Sequence, residues 1–184
     1  LDLEWNHVRN PAAARYSLSE RPGWLRLKGA SVSLDDLASP TAVVRRQRHF
    51  GVQLATRLEF SPTRDGDEAG IVLRQTDALH AEFFVTRTNG ARRLVLRLSE
   101  PVKPTEPCKK TVLSDIQAPA GAIQLLVTAD RDQYRFTWKS DDGKTGDAGS
   151  IPTSALAVEA SWPKGIMCFT GMMAGLYATG NGAE

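Results

Sequence analysis

Glu59 and Glu68 flank a loop, and Glu82 stands on the strand expected next, alternating with Phe84. Two Asp/Glu side chains about 5–9 Å apart can hydrolyse a glycoside on a sandwich fold, one acting as acid and the other as base or nucleophile. Its alternation with Phe84 lets Glu82 face a concave surface. No pattern specific to catalysis surrounds any pair of the three. Other chemistries find less support: there is no Gly-x-Ser-x-Gly elbow and no phosphate-cradling loop. His7, His49 and His80 are far apart, show no His-x-His or HExxH spacing, and read as surface or hydrogen-bonded structural histidines.

Binding rather than catalysis suits the aromatic residues, because sugar rings stack their C–H faces on flat side chains. Trp5, Trp24, Trp138 and Trp162 are the tryptophans. Trp138 alternates with Tyr134 and Phe136 and reads as core, the default for an aromatic on a strand. Trp162 precedes Pro163 in a Gly/Pro-bounded loop and is expected at the surface. Phe169 has two readings, core or a projection from the sandwich edge into a neighbour. Asp65 and Asp67, within Asp65-Gly66-Asp67-Glu68, could give oxygen ligands to Ca²⁺, although the spacing of a known calcium loop is missing. A solvated turn is the alternative, and Asp35-Asp36 has the same two readings. No cofactor is otherwise required.

These residues need a scaffold, and the scaffold is written in strict alternation. Phe50, Val52, Leu54, Thr56, Leu58 and Phe60 fall on one face of a strand with a single buried side. Leu94-Leu96-Leu98 and Tyr134-Phe136-Trp138 repeat the pattern. Further strands are expected over 4–9, 23–28, 68–75, 80–87, 123–129 and 166–178. Asp65-Gly66, Asn89-Gly90 and Asp142-Gly143 separate them as turns, Asn-Gly in hairpin form. The stretches 101–107 and 143–152 read as long exposed loops, and Leu34-Asp35-Asp36-Leu37 as at most one helical turn. Many short strands with regular turns predict an all-β, two-sheet antiparallel sandwich. At 184 residues the chain suits one domain.

A net charge of +2 with interspersed signs lacks the broad basic footprint of a nucleic-acid reader, so no nucleic-acid partner is expected. No stretch of about 18 apolar residues exists, so no membrane partner is expected. The opening Leu1-Asp2-Leu3-Glu4-Trp5 lacks Met and any signal pattern, which implies a segment upstream. Thr179-Gly180-Asn181-Gly182 is a turn signal that normally introduces a further strand, so the domain over 1–184 is expected to lack its final strand. Cys108 and Cys168 suit either redox compartment, and their pairing depends on whether the fold brings them within about 7 Å.

Taken in order, several strings resemble the C-terminal β-sandwich of family 43 glycoside hydrolases, the β-xylosidases and α-L-arabinofuranosidases. They are Leu3-Glu4-Trp5-Asn6 with Arg9-Asn10-Pro11, Arg21-Pro22-Gly23-Trp24-Leu25-Arg26-Leu27, Ser39-Pro40, and Arg45-Arg46-Gln47-Arg48-His49-Phe50. Thr56-Arg57-Leu58-Glu59-Phe60, Glu68-Ala69-Gly70, Phe169-Thr170-Gly171 and Gly175-Leu176-Tyr177-Ala178-Thr179-Gly180-Asn181-Gly182 continue the match. The resemblance covers nearly the whole chain and is weakest over 100–150. It implies a concanavalin-like jelly roll without catalytic residues of its own, acting beside a five-bladed propeller that carries the catalytic carboxylates. It also implies that a loop aromatic, here Phe169, helps close the substrate pocket, with xylo-oligosaccharide or arabinoxylan as ligand. The same kind of domain is also classed as carbohydrate-binding module family 91. Trp162 and Glu82 complete the expected substrate-binding set. Cys168 and Met172-Met173 depart from the pattern around Phe169. The compartment stays open, the cell exterior being favoured over the cytoplasm.

Overall fold

A computed structural model describes residues 2–180. Thirteen strands follow one another: β1 (Trp5–His7), β2 (Tyr16–Ser17), β3 (Arg26–Leu27), β4 (Thr41–Arg46), β5 (Val52–Leu58), β6 (Glu68–Arg74) and β7 (His80–Thr88). They continue as β8 (Ala91–Glu100), β9 (Lys109–Gln117), β10 (Ile123–Ala129), β11 (Gln133–Ser140), β12 (Thr145–Pro152) and β13 (Met173–Thr179). Seven make a large antiparallel sheet in the order β1-β4-β13-β6-β7-β8-β9, and four a smaller one, β12-β11-β10-β5. β2 and β3 form a separate small ribbon.

Alternation decides which residues meet. Ile71, Leu73, Ala81, Phe83, Val85, Leu94 and Leu96 point from the large sheet onto Ile123, Leu125, Val127, Tyr134 and Phe136 of the small one. Phe83 and Phe136 meet edge to face, with centroids 5.6 Å apart. The intervening residues Val72, Phe84, Val95 and Tyr177 face the other way, where Val8 and Leu34 of the N-terminal segment cover them. The large sheet is therefore buried on both faces at its centre.

Double burial explains one strand that alternation does not reveal. β4 opens with Thr41, Ala42, Val43 and Val44 all buried, because each face has a cover. The basic run after it splits: Arg45 and Arg46 end β4, and the residues from Gln47 to Gly51 cross to the small sheet. The stretch 143–152, expected as a loop, is instead mostly strand β12. Its pattern is broken by a bulge opposite Phe136 and Thr137, where Gly149 takes φ 110° and the Asp147 carboxylate accepts its N–H at 2.7 Å. The last strand begins at Met173 rather than Ile166, since left-handed turns at Gly165 and Gly171 hold the intervening residues out of the sheet. β9 is an edge strand whose exposed face hides its period.

Other expectations hold. Asn89 and Gly90 both take positive φ in the β7–β8 hairpin. Trp138 packs partly buried against the core. The cysteines are both free: Cys108 lies against Asp35 and Cys168 against Ser161. Asn181 and Gly182, from which a further strand was expected, lie outside the described residues.

Candidate functional site

One end of the sandwich gathers the connections that precede β5, β7, β9, β11 and β13. After β12 the chain makes three short 3-10 turns, Thr153–Leu156, Val158–Ala160 and Trp162–Lys164, then runs to β13. Leu156 sinks into the main core and anchors the first turn. Ser161, fully buried, donates to the Val158 carbonyl at 2.9 Å and lies 3.1 Å from the Cys168 sulfur. Cys168 thus points inward. Phe169, its neighbour, points outward and is 76% exposed.

The segment around Phe169 is tied on both sides. The Thr170 hydroxyl donates to the Gln75 carbonyl at 3.3 Å, and the Gln47 N–H donates to the Met172 carbonyl at 2.9 Å. Left-handed Gly171 turns the chain between these ties. A large apolar ring is thereby held in solvent on a restrained backbone. Met167 of the same connection and Phe50 of the β4–β5 connection also stand exposed. Trp162, in the third turn, is 56% exposed, as its place before Pro163 led us to expect.

The carboxylates are placed otherwise. Glu82 faces the outer side of the large sheet but is 2% exposed, because the N-terminal segment covers that side. Both its oxygens accept from Arg97, at 2.6 and 2.8 Å. Arg97 also donates to both oxygens of Glu68, at 3.0 and 2.8 Å, and its guanidinium lies 4.5 Å from the Phe84 centroid. Burial raises the pKa of Glu68 and outweighs the pull of Arg97, while the two carboxylates hold Arg97 firmly protonated despite its own burial. Tyr177 adds a hydroxyl donor to Glu68 at 3.3 Å. Glu59 is exposed and paired to Arg21. Every carboxylate of the proposed trio is thus engaged by arginine, and proton transfer to a substrate would require breaking these pairs.

Beside this network His80 is fully buried, with neither ring nitrogen hydrogen-bonded; Asp35 lies 3.4 Å and Glu82 3.9 Å from its Nε2. Burial lowers its pKa, against the pull of those carboxylates. Asp35 also receives Lys110 and the thiol of Cys108, whose pKa is pushed up to about 11, chiefly by burial. Asp67 accepts from the Thr63 and Arg64 N–H groups as a turn residue does, and Asp65 accepts from the Gly90 N–H and pairs with Arg87. Among the described residues no group of three or more His, Cys, Asp or Glu is arranged to hold a metal ion.

Sequence reading therefore found Phe169 and Trp162 where side chains are available for contact. It did not find the exposure of Phe50, counted there as the first buried residue of a strand. Its position before Gly51, at the crossover between sheets, was the available signal.

Comparison with known proteins places these features in context. The profile of the β-xylosidase C-terminal concanavalin A-like domain matches residues 1–184. The non-reducing end α-L-arabinofuranosidase BoGH43B of Bacteroides ovatus is 34% identical over 182 residues, 99% of this chain and 32% of that protein. A putative β-xylosidase of Escherichia coli is 31% identical, over 88% of this chain and 30% of its own length. Among solved structures, the GH43 protein BlXynB of Bacillus licheniformis superposes with a TM-score of 0.86 at 28% identity, covering all of this chain and 34% of that one. The chain spans about a third of the length of the relatives it matches. Fold, order of motifs and full-length match agree: the chain belongs to the family of β-xylosidase C-terminal concanavalin A-like domains.

Proposed function

We propose that this domain is a non-catalytic accessory part of a xylan- or arabinoxylan-degrading glycosidase. It packs on a five-bladed propeller catalytic domain and lines that domain's substrate pocket. The observation that carries the reading is Phe169, three-quarters exposed on a segment fixed by Cys168, Thr170 and Met172. A restrained aromatic wall excludes water from a bound pentose and orients it for the acid and base of the propeller. Xylosidase and arabinofuranosidase relatives supply the substrate class.

Phe169→Ala in a complete enzyme carrying this domain should raise KM for a nitrophenyl xyloside about tenfold, the cost of roughly one aromatic contact. Phe169→Tyr should restore most of it. An unchanged KM in the alanine variant removes Phe169 from the pocket. The exposure of Trp162 favours a second reading, an autonomous xylan-binding module. Retention of the isolated domain on insoluble xylan, abolished by Trp162→Ala, would favour it over the pure pocket wall. An intrinsic hydrolase built on Glu59, Glu68 or Glu82 runs against their arginine pairing. Release of nitrophenol by the isolated domain would reinstate it.

A further inference from the structure

On the Met172 side of the Phe169 segment lies a cleft of about 510 Å³, a size suited to small ligands. Phe50, Gln47, Gln75, Arg131, Tyr134 and Met172 line it. Phe50 exposes 69% of its surface, with the Arg131 guanidinium 5.6 Å from its ring centroid. Arg131 lines the same cleft, and among the described residues its guanidinium enters no ion pair, which leaves donors for a ligand. Gln75 is more than nine-tenths buried, yet its side-chain carbonyl Oε1 has no hydrogen-bond partner. A buried acceptor without a donor is costly; the Oε1 atom itself is covered, and a turn of the Gln75 side chain toward the cleft that the residue lines would let a ligand hydroxyl satisfy it. Gln47 is fixed at the rim by the Tyr134 hydroxyl, which donates to its Oε1 at 3.0 Å, and by its own amide, which donates to the His49 carbonyl at 2.9 Å.

An apolar ring face, a free bidentate donor and a buried amide acceptor together suit a neutral polyol better than an anion or an apolar molecule. We propose that this cleft is a saccharide subsite, in which Phe50 stacks on a sugar ring, Gln75 turns its side chain toward the cleft so that Oε1 accepts a sugar hydroxyl, and Arg131 donates to ring or hydroxyl oxygens. It rests on the glycosidase reading above for its ligand class and extends it. Phe169 walls one end of the bound saccharide, and the cleft holds a unit further along the chain. The Thr170 bond to the Gln75 carbonyl and the Gln47 bond to the Met172 carbonyl tie the Phe169 segment to two residues of the cleft.

Titration of the protein with xylotetraose, followed by ¹H–¹⁵N NMR, tests this directly. The amides of Gln47, Phe50, Gln75 and Arg131 should shift together and saturate. Phe50→Ala should weaken binding about tenfold, and Gln75→Leu roughly fivefold. Phe50 is exposed, so its alanine variant keeps the fold even if Gln75→Leu does not. Absence of shifts at these four residues up to tens of millimolar sugar overturns the proposal, as does binding that Phe50→Ala leaves unaltered. The outcome is separate from that of Phe169→Ala in the complete enzyme: a subsite here with no KM effect there would sink the pocket-wall role alone.

Discussion

Arg97 is the residue on which the outer face of the large sheet depends. It lies between Glu68 and Glu82, both largely buried, and satisfies four carboxylate oxygens at once. Removing it leaves two charges without a partner in a desolvated place, which costs about 3–5 kcal/mol where one buried partner is lost. Arg97→Met should lower stability by about that amount in urea unfolding, and a Glu68→Gln, Glu82→Gln background should recover much of it. The neighbouring His80 sets a pH dependence. Burial lowers its folded-state pKa below 6.5, so the unfolded chain binds the additional proton as pH falls through that value. Stability from this group is therefore complete above about pH 6.5 and is lost as pH falls toward the lowered folded value. Arg74 and Lys110 oppose protonation there, while Glu82 and Asp35 favour it. The Tm of the protein should fall between pH 7 and 5 more steeply than that of His80→Gln, and parallel curves would exclude His80 as the cause. None of this was legible beforehand. Alternation gives the face on which Glu82 and His80 lie, but only tertiary contact shows that residues around Leu34 cover it.

Strands with one wetter face were read most directly. β5, β10 and β11 emerged from their period, β8 from its alternating leucines, and the Asn89-Gly90 turn from its chemistry. β4, buried on both faces, and β12, broken by a bulge, did not, because each violates the period that makes a strand visible. β13 was recognised but begun seven residues early, since 166–172 is apolar for reasons of loop anchoring and surface contact rather than sheet packing. One constraint on β13 is severe. A Cβ at Gly175 would fall directly onto the Val43 carbonyl oxygen and within 2.6 Å of the Val44 Cα, both backbone atoms of β4. Gly175→Ala should cost at least about 3 kcal/mol or prevent folding, visible as loss of soluble protein or a collapsed urea midpoint. Gly23→Ala, where a Cβ meets nothing within 4 Å, should cost only the strain of its positive φ.

Across the whole molecule, order is concentrated at the centre of the large sheet. β6, β7 and β8 are flanked by strands on both sides and covered on both faces, whereas the N-terminal segment has only short strands and scattered ties such as Arg9 to the Asp36 and Ala38 carbonyls. Hydrogen exchange should accordingly be slowest in 71–85 and 94–98 and much faster over 10–38, the first region to open. Uniform protection of both would show that the cover and the sheet unfold as one unit. Fold class and the exposure of Trp162 were within reach of the residues, while Phe169 stayed open between core and projection until the family resemblance chose; the cleft beside Phe50 was not legible, because it forms from four connections distant in the chain. The inward turn of Cys168 and outward turn of Phe169 have a practical consequence for varying the protein. Position 169 contributes nothing to the interior, so all twenty residues can be sampled there at little cost in yield, and the proposed pocket role can be tested by ranking sugar preference from crude expression cultures. Position 168 offers no such freedom. Adjacent codons thus carry separate selective pressures, one on folding and one on what the exposed ring meets.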